Sequence, residues 1–430
     1  MLPCRYRAVK LLLFVLLCLH PLLADLTPKQ QAANVESFEK VWSTVRDRHP
    51  DVKLAGLDWQ AVRSSTLPKI RVAKSMDEVR DLLTEMLHRL GTSHYGIVPG
   101  NVYNNMDAER PVERGSTGLR ASVIDGKAVV VSVEPGSPAD KAGIRPGMVV
   151  DDVDGTAMAP MIESIAGLKS GESELTLSRT IARKLAGSAN EPVALKVRDR
   201  NGKQIEAKLE REAPKGEIVT FGNLPPVRLI FESRMLPSGV GYISFNFFLN
   251  PVTVMPQFEN AMRRFAKAPG VILDLRGNPG GIGFLATGIA GFFLDQSGLS
   301  LGEMKTRELA LKFAIFPRAE TYSGPLAVLI DGGSASTSEI LAGGLQDMKR
   351  ARIFGTRSAG AALPSDFIRL PNGDGFQFVV ATYTSQSGKV LEANGVTPDV
   401  EVRQTEASLA EGGDPVIQAA DSWISMSKKK

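Results

Sequence analysis

One serine of this chain stands where backbone geometry could make it reactive. Ser336 lies in the stretch DGGSASTSEI, after the apolar run LAVLI and a glycine turn, and it begins a predicted helix. A side chain there lies beside unpaired backbone N–H groups and the positive end of the helix dipole. Those groups would stabilise an oxyanion that forms next to the serine. Ser334, Ser336 or Ser338 could equally be a simple N-cap, and this stretch alone does not decide between the two roles.

A second turn has the backbone freedom to approach a substrate closely. The stretch DLRGNPGG, residues 274–281, follows a buried apolar run and ends in Gly280 and Gly281. Because only glycine allows such close approach or a positive φ, this turn could supply another N–H group to an oxyanion. An ordinary strand-to-helix turn is at least as good an interpretation of these residues alone, with Asp274 and Arg276 shaping the strand end.

A serine hydroxyl becomes a good nucleophile only beside a base, and histidine titrates in a suitable range. The chain beyond residue 24 has three histidines. His49 precedes Pro50 at a predicted helix end, which favours capping, and His88 lies in a helical repeat on a packed or solvated face. His94, in LGTSHYGI, follows Gly91 at a helix-to-loop exit, where functional residues concentrate. His94 is therefore the candidate base, although a lone loop histidine is more often structural.

Five sequence motifs that follow one another along the chain indicate a family resemblance: VGYISFNFF, GVILDLRGNPGG, GGSASTSEILAGGLQD, RIFGTRSAG and NGVTPDVEV. The chain resembles the C-terminal processing (tail-specific) serine peptidases and their tricorn-type relatives over nearly all of its length. The resemblance implies that Ser336 is the nucleophile. It also implies an oxyanion hole formed by the N–H of Thr337 with one from Gly280 or Gly281.

The chain departs from the processing peptidases at the position of their general base. In that branch a lysine lies 25 residues after the serine, in a TFGKG-like word. Here the corresponding word is RSAGAAL, and the position is Ala361. Alanine cannot accept a proton, and the nearby Arg357 stays protonated. A Ser–Lys dyad is therefore excluded.

The tricorn-type branch, which the sequence resembles better, uses a histidine instead. That histidine lies in a Ser-His word after an N-terminal helix, which corresponds to Ser93 and His94 here. A glutamate precedes a GxxPD word in that branch, and Glu392 lies three residues before Gly395 in the same way. The resemblance implies that His94 takes the proton of the nucleophile and that Glu392 stabilises the imidazolium, partly through Ser93. The alternative for Glu392 is an ordinary surface carboxylate.

Two amphipathic helices should position the Ser-His word. FEKVWSTVRDRHP and SMDEVRDLLTEMLHRLG place apolar residues at three- and four-residue steps, which predicts a helical region over residues 25–110. Ser75 and Glu78 fit a capping box at the start of the second helix. Gly91 fits its end.

The next region, residues 111–212, has short alternating strands and glycine turns. GLRASVIDGKAVVVSVEPGSPADKAGIRPGMVVDDVDGTAM resembles a PDZ domain. The resemblance implies a carboxylate-binding loop at Gly118 and Leu119, a core strand over Val129–Val133, and capture of an extended peptide at a strand edge. A closing hairpin is predicted around Asn201-Gly202. The alternative is a small β module with structural duties only.

Strands then alternate with helices over residues 213–405, which predicts a layered α/β core with mainly parallel central strands. The family resemblance implies the fold of ClpP and the crotonases for this core. The inserted PDZ-like β domain and the helical N-terminal region would complete the molecule. Residues 406–430, which end in SKKK, are predicted to be a C-terminal tail.

The first residues follow the pattern of a secretory signal peptide, in which basic residues, an apolar run and a small residue come in that order. Arg5, Arg7 and Lys10 precede an apolar run that ends near small Ala24, which predicts a leader over residues 1–24. The run is too short and too interrupted to span a bilayer comfortably, although an uncleaved anchor is the alternative. The mature protein is therefore expected to be periplasmic or secreted, with no stable membrane span.

Composition excludes several kinds of chemistry. Cys4 and Cys18 are the two cysteines of the chain, and both lie in the predicted leader. A mature chain would have no thiols, which rules out a cysteine nucleophile, a thiolate metal site and a disulfide framework. The formal charge of +4 falls to about +1 once the leader's three basic residues are removed. Nothing in this balance suggests nucleic acid as a partner.

These residues together predict an exported serine endopeptidase that acts on protein or peptide substrates. Its site would comprise Ser336, His94 and Glu392, extended by Ser93, and it needs no metal or organic cofactor. The PDZ-like region would capture C-terminal or unfolded segments. Two other functions stay open from the sequence: a peptidase-like binding protein without turnover, and an envelope scaffold that works through its PDZ-like domain.

Overall fold

The computed structural model of this chain describes residues 26–100, 114–166, 173–213, 215–219 and 227–427. The predicted leader, residues 1–24, lies outside the described residues. Within the described ranges, no helix has both the length and the apolar character needed to cross a bilayer.

The N-terminal region is helical, as the apolar spacing predicts, and it ends in a short strand. Its elements are α1 (Pro28–Arg48), a 3₁₀ turn (Leu54–Gly56), α2 (Trp59–Val72), α3 (Met76–His88) and β1 (Gly96–Val98). The predicted N-cap of α3 is confirmed, because the Ser75 side chain accepts the N–H of Glu78 at 3.1 Å. The Glu78 carboxylate accepts the N–H of Lys74 at 2.7 Å instead of closing a box onto Ser75. Gly91, just past the helix, has φ +64°.

The insert is an antiparallel β domain with three helices. Its strands are β2 (Arg114–Gly115), β3 (Leu119–Ile124), β4 (Lys127–Val133), β5 (Val149–Val153), β6 (Thr156–Ala157), β7 (Gly187–Ser188), β8 (Pro192–Arg198) and β9 (Gln204–Glu210), and its helices are α4 (Pro138–Lys141), α5 (Met158–Ala166) and α6 (Ser173–Leu185). The main sheet has the order β3-β4-β5-β8-β9, so β3 is an edge strand. The predicted hairpin at Asn201-Gly202 is confirmed, since β8 and β9 pair on either side of it.

The remaining elements form a mixed α/β core. Its strands are β10 (Glu217–Val219), β11 (Val227–Leu229), β12 (Phe231–Met235), β13 (Gly241–Phe245), β14 (Val271–Asp274), β15 (Ser300–Lys305), β16 (Ala310–Ala314), β17 (Leu326–Ile330), β18 (Arg352–Gly355), β19 (Ser365–Arg369), β20 (Gly375–Val379), β21 (Thr382–Ser385) and β22 (Val400–Glu401). Its helices are α7 (Pro251–Arg264), α8 (Gly283–Ala290), α9 (Thr337–Asp347), α10 (Glu406–Ala410) and α11 (Pro415–Ser427).

The central sheet has the order β12-β13-β14-β17-β18-β22 and is parallel from β13 onward. All residues of β14 and β17 are buried, as expected for parallel strands covered on both faces. Helices α7, α8 and α9 contribute buried side chains to the core on one face of the sheet. The carboxyl ends of β14 and β17 lie side by side, at the edge where open α/β sheets bind ligands.

The other face of the sheet shows a difference from the sequence prediction. Residues 406–430 were expected to be a tail, yet they include α10 and α11. Val416, Ala420 and Ile424 of α11 are buried against β14, β17 and β18. The three side chains follow a helical spacing of four residues, so α11 covers a face that would otherwise expose the apolar sheet.

The N-terminal helices are joined to the core by a small sheet of order β1-β20-β19. Phe376 and Phe378 of β20 are buried in one cluster with the apolar faces of α1, α2 and α3. Arg80 of α3 makes a two-pronged ion pair with the buried carboxylate of Asp374, at 2.9 and 3.1 Å. The Gly100 N–H donates to the same carboxylate at 2.6 Å. This junction fixes the loop between α3 and β1, which carries His94.

Replacing the arginine of this junction should destabilise the fold strongly. Asp374 is fully buried, so Arg80→Ala leaves an uncompensated buried charge and should lower the free energy of unfolding by about 3–5 kcal/mol. Urea unfolding measures the change. Arg89→Ala, which removes an exposed pair with Glu85, is the matched control and should cost at most about 0.5 kcal/mol. Equal losses in the two variants would contradict the proposed role of the junction.

Candidate active site

Ser336 lies in a tight turn between β17 and α9, with φ +54° and ψ −116°. Such a conformation is costly for a residue with a side chain and persists only where surrounding contacts enforce it. Here the Ser336 N–H donates to the carbonyl oxygen of Ala361 at 2.7 Å and to the carboxylate of Glu339 at 3.0 Å. The serine is half-buried at the start of a helix of eleven residues, as the sequence predicts.

The glycine turn after β14 packs directly against the serine turn. A Cβ atom at Gly280 would lie 2.8 Å from both Ser336 Cβ and the backbone nitrogen of Thr337, so the approach requires glycine. The Gly280 N–H is already used, because it donates to the Asn278 side chain at 2.9 Å. The Thr337 hydroxyl donates to the carbonyl oxygen of Gly281 at 2.9 Å. Among the described residues, no hydrogen bond takes the N–H of Thr337 or of Gly281.

Ser93, His94 and Glu392 form a chain of hydrogen bonds. Ser93 Oγ lies 2.6 Å from His94 Nδ1 and donates to Glu392 Oε2 at 2.9 Å. The Ser93 N–H also donates to Glu392 Oε1 at 2.7 Å, so the carboxylate accepts two hydrogen bonds from this serine. His94 has φ +62°, which is a second strained backbone conformation at this site. Glu392 is thus not an isolated surface carboxylate.

One peptide group connects the histidine loop to the serine turn. The Ala361 carbonyl oxygen accepts the Ser336 N–H, and the Ala362 N–H of the same peptide group donates to Glu392 Oε2 at 3.1 Å. The structure thereby places Ser336 and Glu392 on the two sides of a single amide. In the described ranges, no direct hydrogen bond joins His94 to Ser336.

The electrostatic surroundings keep the His94 ring neutral. Desolvation by the surrounding protein lowers the pKa of His94 to about 4, and the positive charge of Arg179 acts in the same direction. Arg179 belongs to α6 of the insert, so the insert places a cation near the histidine. A ring with this pKa is neutral at pH 7, so it has one N–H group and one nitrogen with a free lone pair that can accept a proton.

Glu339 is a site residue that the sequence reasoning missed. Its side chain is fully buried below the serine turn and accepts four hydrogen bonds. The donors are Ser336 N, Ser358 Oγ, Gly360 N and Ala361 N, at 3.0, 2.6, 2.8 and 3.0 Å. Burial raises the pKa of Glu339 to about 7, and these donors oppose the rise. The S-x-x-E spacing from Ser336 is a capping-box signature that could have identified it.

The other two histidines take no part in this cluster. His49 ends α1, is buried, and has its ring stacked on Tyr95 with centroids 6.1 Å apart. The capping interpretation agrees with this position. His88 is exposed at the end of α3. Within the described part of the chain, no group of three or more histidine, cysteine or acidic side chains could hold a metal ion.

The predicted carboxylate-binding loop of the insert lies beside an exposed strand edge. Gly118 has φ +72°, and a Cβ there would lie 2.2 Å from Ser137 Cβ, so the loop requires glycine. The Gly118 N–H donates to Ser116 Oγ at 3.0 Å. Leu119 is nearly buried at the start of β3, and α6 packs along that strand. The edge strand β3 and the helix α6 are therefore direct neighbours.

Two regions match known family models. Residues 239–402 match peptidase family S41, and residues 31–88 match the tricorn protease C1 domain. The first region contains the serine and glycine turns, and the second contains α2, α3 and most of α1. The matched regions therefore include the elements on both sides of the site.

Similar proteins are found along most of the chain. The carboxyl-terminal-processing peptidase 3 of Arabidopsis thaliana chloroplasts is 27% identical over 92% of this chain and 75% of its own length. The C-terminal processing peptidase of Tetradesmus obliquus chloroplasts is 29% identical over 85% and 76%. The structure of a photosystem II D1 C-terminal processing protease covers 88% of this chain and 94% of its own, with a TM-score of 0.58 and 22% identity, which shows a shared fold. The homologues support a serine-type peptidase, and none of them supports an inactive binding protein.

The titration of His94 tests the electrostatics of the site. In a chain labelled with ¹³C-histidine, NMR should give a His94 pKa near 4, assigned by comparison with His94→Gln. Arg179→Gln removes a positive charge that disfavours the imidazolium, so it should raise this pKa. Arg183→Gln, an exposed position on the same helix, serves as the control and should have a smaller effect. A His94 pKa at the ordinary 6.5 in the wild-type chain would contradict this account.

Proposed function

We propose that this serine-type peptidase hydrolyses peptide bonds by acyl transfer, with Ser336 as nucleophile and His94 as general base. The observation that carries the proposal is the hydrogen-bonded chain from Glu392 through Ser93 to His94. A base oriented by a third group is the arrangement expected for an activated serine. The resemblance of the surrounding words to the tricorn-type branch, where a histidine replaces lysine, supports the same assignment.

The hydrogen-bond donors and acceptors determine which ring nitrogen is the base. An ionised carboxylate only accepts, so the hydroxyl proton of Ser93 goes to Glu392. Ser93 Oγ must then accept, and the proton between Ser93 and His94 belongs to Nδ1. The other nitrogen, Nε2, is left with its lone pair. This tautomer is the one that can take a proton from a nucleophile.

The reaction then proceeds in two halves. Ser336 Oγ attacks the peptide carbonyl while His94 Nε2 takes its proton, and the imidazolium returns that proton to the leaving amine. Water attacks the resulting acyl ester with the same histidine as base, which releases the acid and restores the serine. Glu392 stabilises the imidazolium through Ser93, which compensates for the desolvation that otherwise disfavours the charged ring.

The oxyanion would be held by two backbone N–H groups. Thr337 at the start of α9 supplies the first, since the first N–H groups of a helix lack partners within it. Of the two glycines considered, Gly281 is the better second donor, because the Gly280 N–H is engaged by Asn278. The strained turn at Ser336 supports the assignment, because it holds the serine against this pair of turns.

The insert supports a role in substrate capture. A PDZ-like groove between β3 and α6, with the Gly118–Leu119 loop at one end, would pair with an extended C-terminal or unfolded segment. The core corresponds to the layered fold of ClpP and the crotonases. The predicted leader over residues 1–24 supports export, with work in the periplasm or outside the cell. Protein and peptide chains are the substrates, and no cofactor is required.

Removing the nucleophile tests the proposal directly. An alkyl fluorophosphonate should label wild-type enzyme on the peptide that contains Ser336, and Ser336→Ala should abolish both labelling and hydrolysis of fluorescein-labelled casein. His94→Gln should reduce casein hydrolysis by several orders of magnitude, up to about a million-fold, with unchanged thermal unfolding. His88→Gln, which changes an exposed histidine, should keep full activity. Casein hydrolysis that survives in Ser336→Ala would refute the assignment.

The buried carboxylate below the serine turn should be needed for reactivity. In Glu339→Gln, an amide N–H₂ at the position of Oε2 would face the N–H groups of Ser336 and Ala361 instead of accepting from them, which leaves two donors unsatisfied. We expect fluorophosphonate labelling to slow by about 100-fold through displacement of the serine, with a stability loss of about 1–3 kcal/mol. Glu320→Gln, at an exposed carboxylate, is the control. Labelling of Glu339→Gln at the wild-type rate would show that this carboxylate does not position the serine.

A further inference from the structure

The C-terminal segment touches two distant parts of the molecule. Residues 405–427, called the C-terminal strap below, comprise α10, a glycine turn and α11. The apolar side chains of α11 fasten the strap to the central sheet. Its first helix contacts the insert, and the turn that follows contacts Arg276. Neither contact takes part in the proposed reaction directly.

The first helix of the strap binds the insert. Leu409 is buried with Val129 and Val149, on the face of β4 and β5 opposite the insert's own core. Gly147 lies against the helix so closely that a Cβ there would be 2.6 Å from the backbone nitrogen of Ala410. An ion pair joins Lys127 to Glu406 at 2.6 Å. This face of the insert sheet is thus covered by the strap.

The turn between α10 and α11 of the strap binds Arg276, which lies at the start of the glycine turn after β14. Asp414 accepts from Arg276 Nη1 and Nη2 at 3.1 and 2.8 Å, in a two-pronged pair. Arg276 also pairs with Asp274, the last residue of β14, and Tyr242 donates to that carboxylate at 2.9 Å. Arg276 is nearly buried, so both carboxylates are needed to compensate for its desolvation. Asp414 at the same time caps α11 by accepting the N–H of Val416 at 3.0 Å.

Several hydrogen bonds stiffen the backbone between Arg276 and the two glycines. The Gly277 N–H donates to Asp331 at 2.8 Å, and the Asn278 side chain donates to the carbonyl oxygen of Phe245 at 2.7 Å. Asn278 also holds the Gly280 N–H. Residues 277–280 therefore form one stiff unit, and Arg276 at its start is one of the residues that hold this unit in place.

We propose that Asp414 is a positioning residue for catalysis, which holds the glycine turn after β14 in place through Arg276. We propose in addition that the strap links the position of the insert to that turn, because α10 is docked on the insert. This inference rests on the proposed function, in which the glycine turn helps to hold the oxyanion. The positioning role depends on a single ion pair, Asp414 with Arg276, so one substitution can test it.

Asp414→Asn removes the charge and keeps a good N-cap for α11. In the reaction with an alkyl fluorophosphonate, Ser336 Oγ attacks phosphorus and expels fluoride while negative charge builds up on the phosphoryl oxygen, as it does on a peptide carbonyl oxygen. The kinetics separate binding (KI) from bond formation (kinact). We expect kinact to fall by about 10- to 100-fold, as for a misplaced catalytic group, with KI unchanged within twofold. Asp414→Glu, which retains the carboxylate, should recover part of the loss.

Controls separate positioning from folding. Glu411→Gln changes an exposed carboxylate of the same strap and should keep wild-type kinact. A fall in kinact for Asp414→Asn with a matching loss of folded protein in thermal unfolding would overturn the proposal, as would an unchanged kinact. If wild-type enzyme is not labelled at Ser336, the proposed function fails instead, independently of Asp414.

Leu409→Ala tests the connection to the insert. The substitution loosens α10 from β4 and β5 without touching Asp414 or Arg276. If the strap transmits the position of the insert, kinact should fall at least threefold while α11 stays docked. A kinact within twofold of the Glu411→Gln control would overturn this half of the proposal and leave Asp414 as a local support of the turn.

Discussion

The reactive centre depends on two hydrogen bonds made by the peptide group between Ala361 and Ala362. Its carbonyl oxygen accepts the N–H of Ser336, and its N–H donates to Glu392. A peptide group is planar and stiff, so the two hydrogen bonds are held at a fixed separation. The serine turn follows a strand of the central sheet, whereas the histidine loop follows the N-terminal helices. Residues far apart in the chain are thus kept in register by one main-chain unit, on which both ends of the proposed proton path rest.

The same position explains how the site is built without a lysine. The resemblance to the processing peptidases implies a lysine base at this position. Here Ala361 is buried with Ala335 and Ala359, and its N–H donates to Glu339. The backbone of the segment therefore supports two carboxylates, Glu339 below the serine and Glu392 behind the histidine loop. In the proposed mechanism the imidazole of His94 is the base, and the peptide framework at position 361 serves as structural support.

The sequence predicted those parts of the site that have local signatures. The turn at Ser336 follows from a buried strand, glycines and a helix start, and the N-cap at Ser75 from its spacing to Glu78. The S-x-x-E spacing indicates only the bond of Glu339 to Ser336, whereas its other three donors come from residues 358–361, which no local pattern relates to it. The strap was taken for a tail because α10 has only five residues and its docking partner belongs to the insert. Long-range pairing decided both cases.

The insert approaches the proposed chemistry by two separate routes. Through α6 it brings the charge of Arg179 to His94, which disfavours the imidazolium. Through the strap it is connected to Arg276 and to the glycine turn after β14. A rigid-body movement of the insert would therefore change the basicity of the histidine and the geometry of the oxyanion donors together. Because the transition state needs a stabilised imidazolium and a stabilised oxyanion at the same moment, even small shifts of this one domain would act on the rate twice. The peptide capture proposed for the insert would then be physically suited to control the reaction, with no need for contact between the captured end and Ser336.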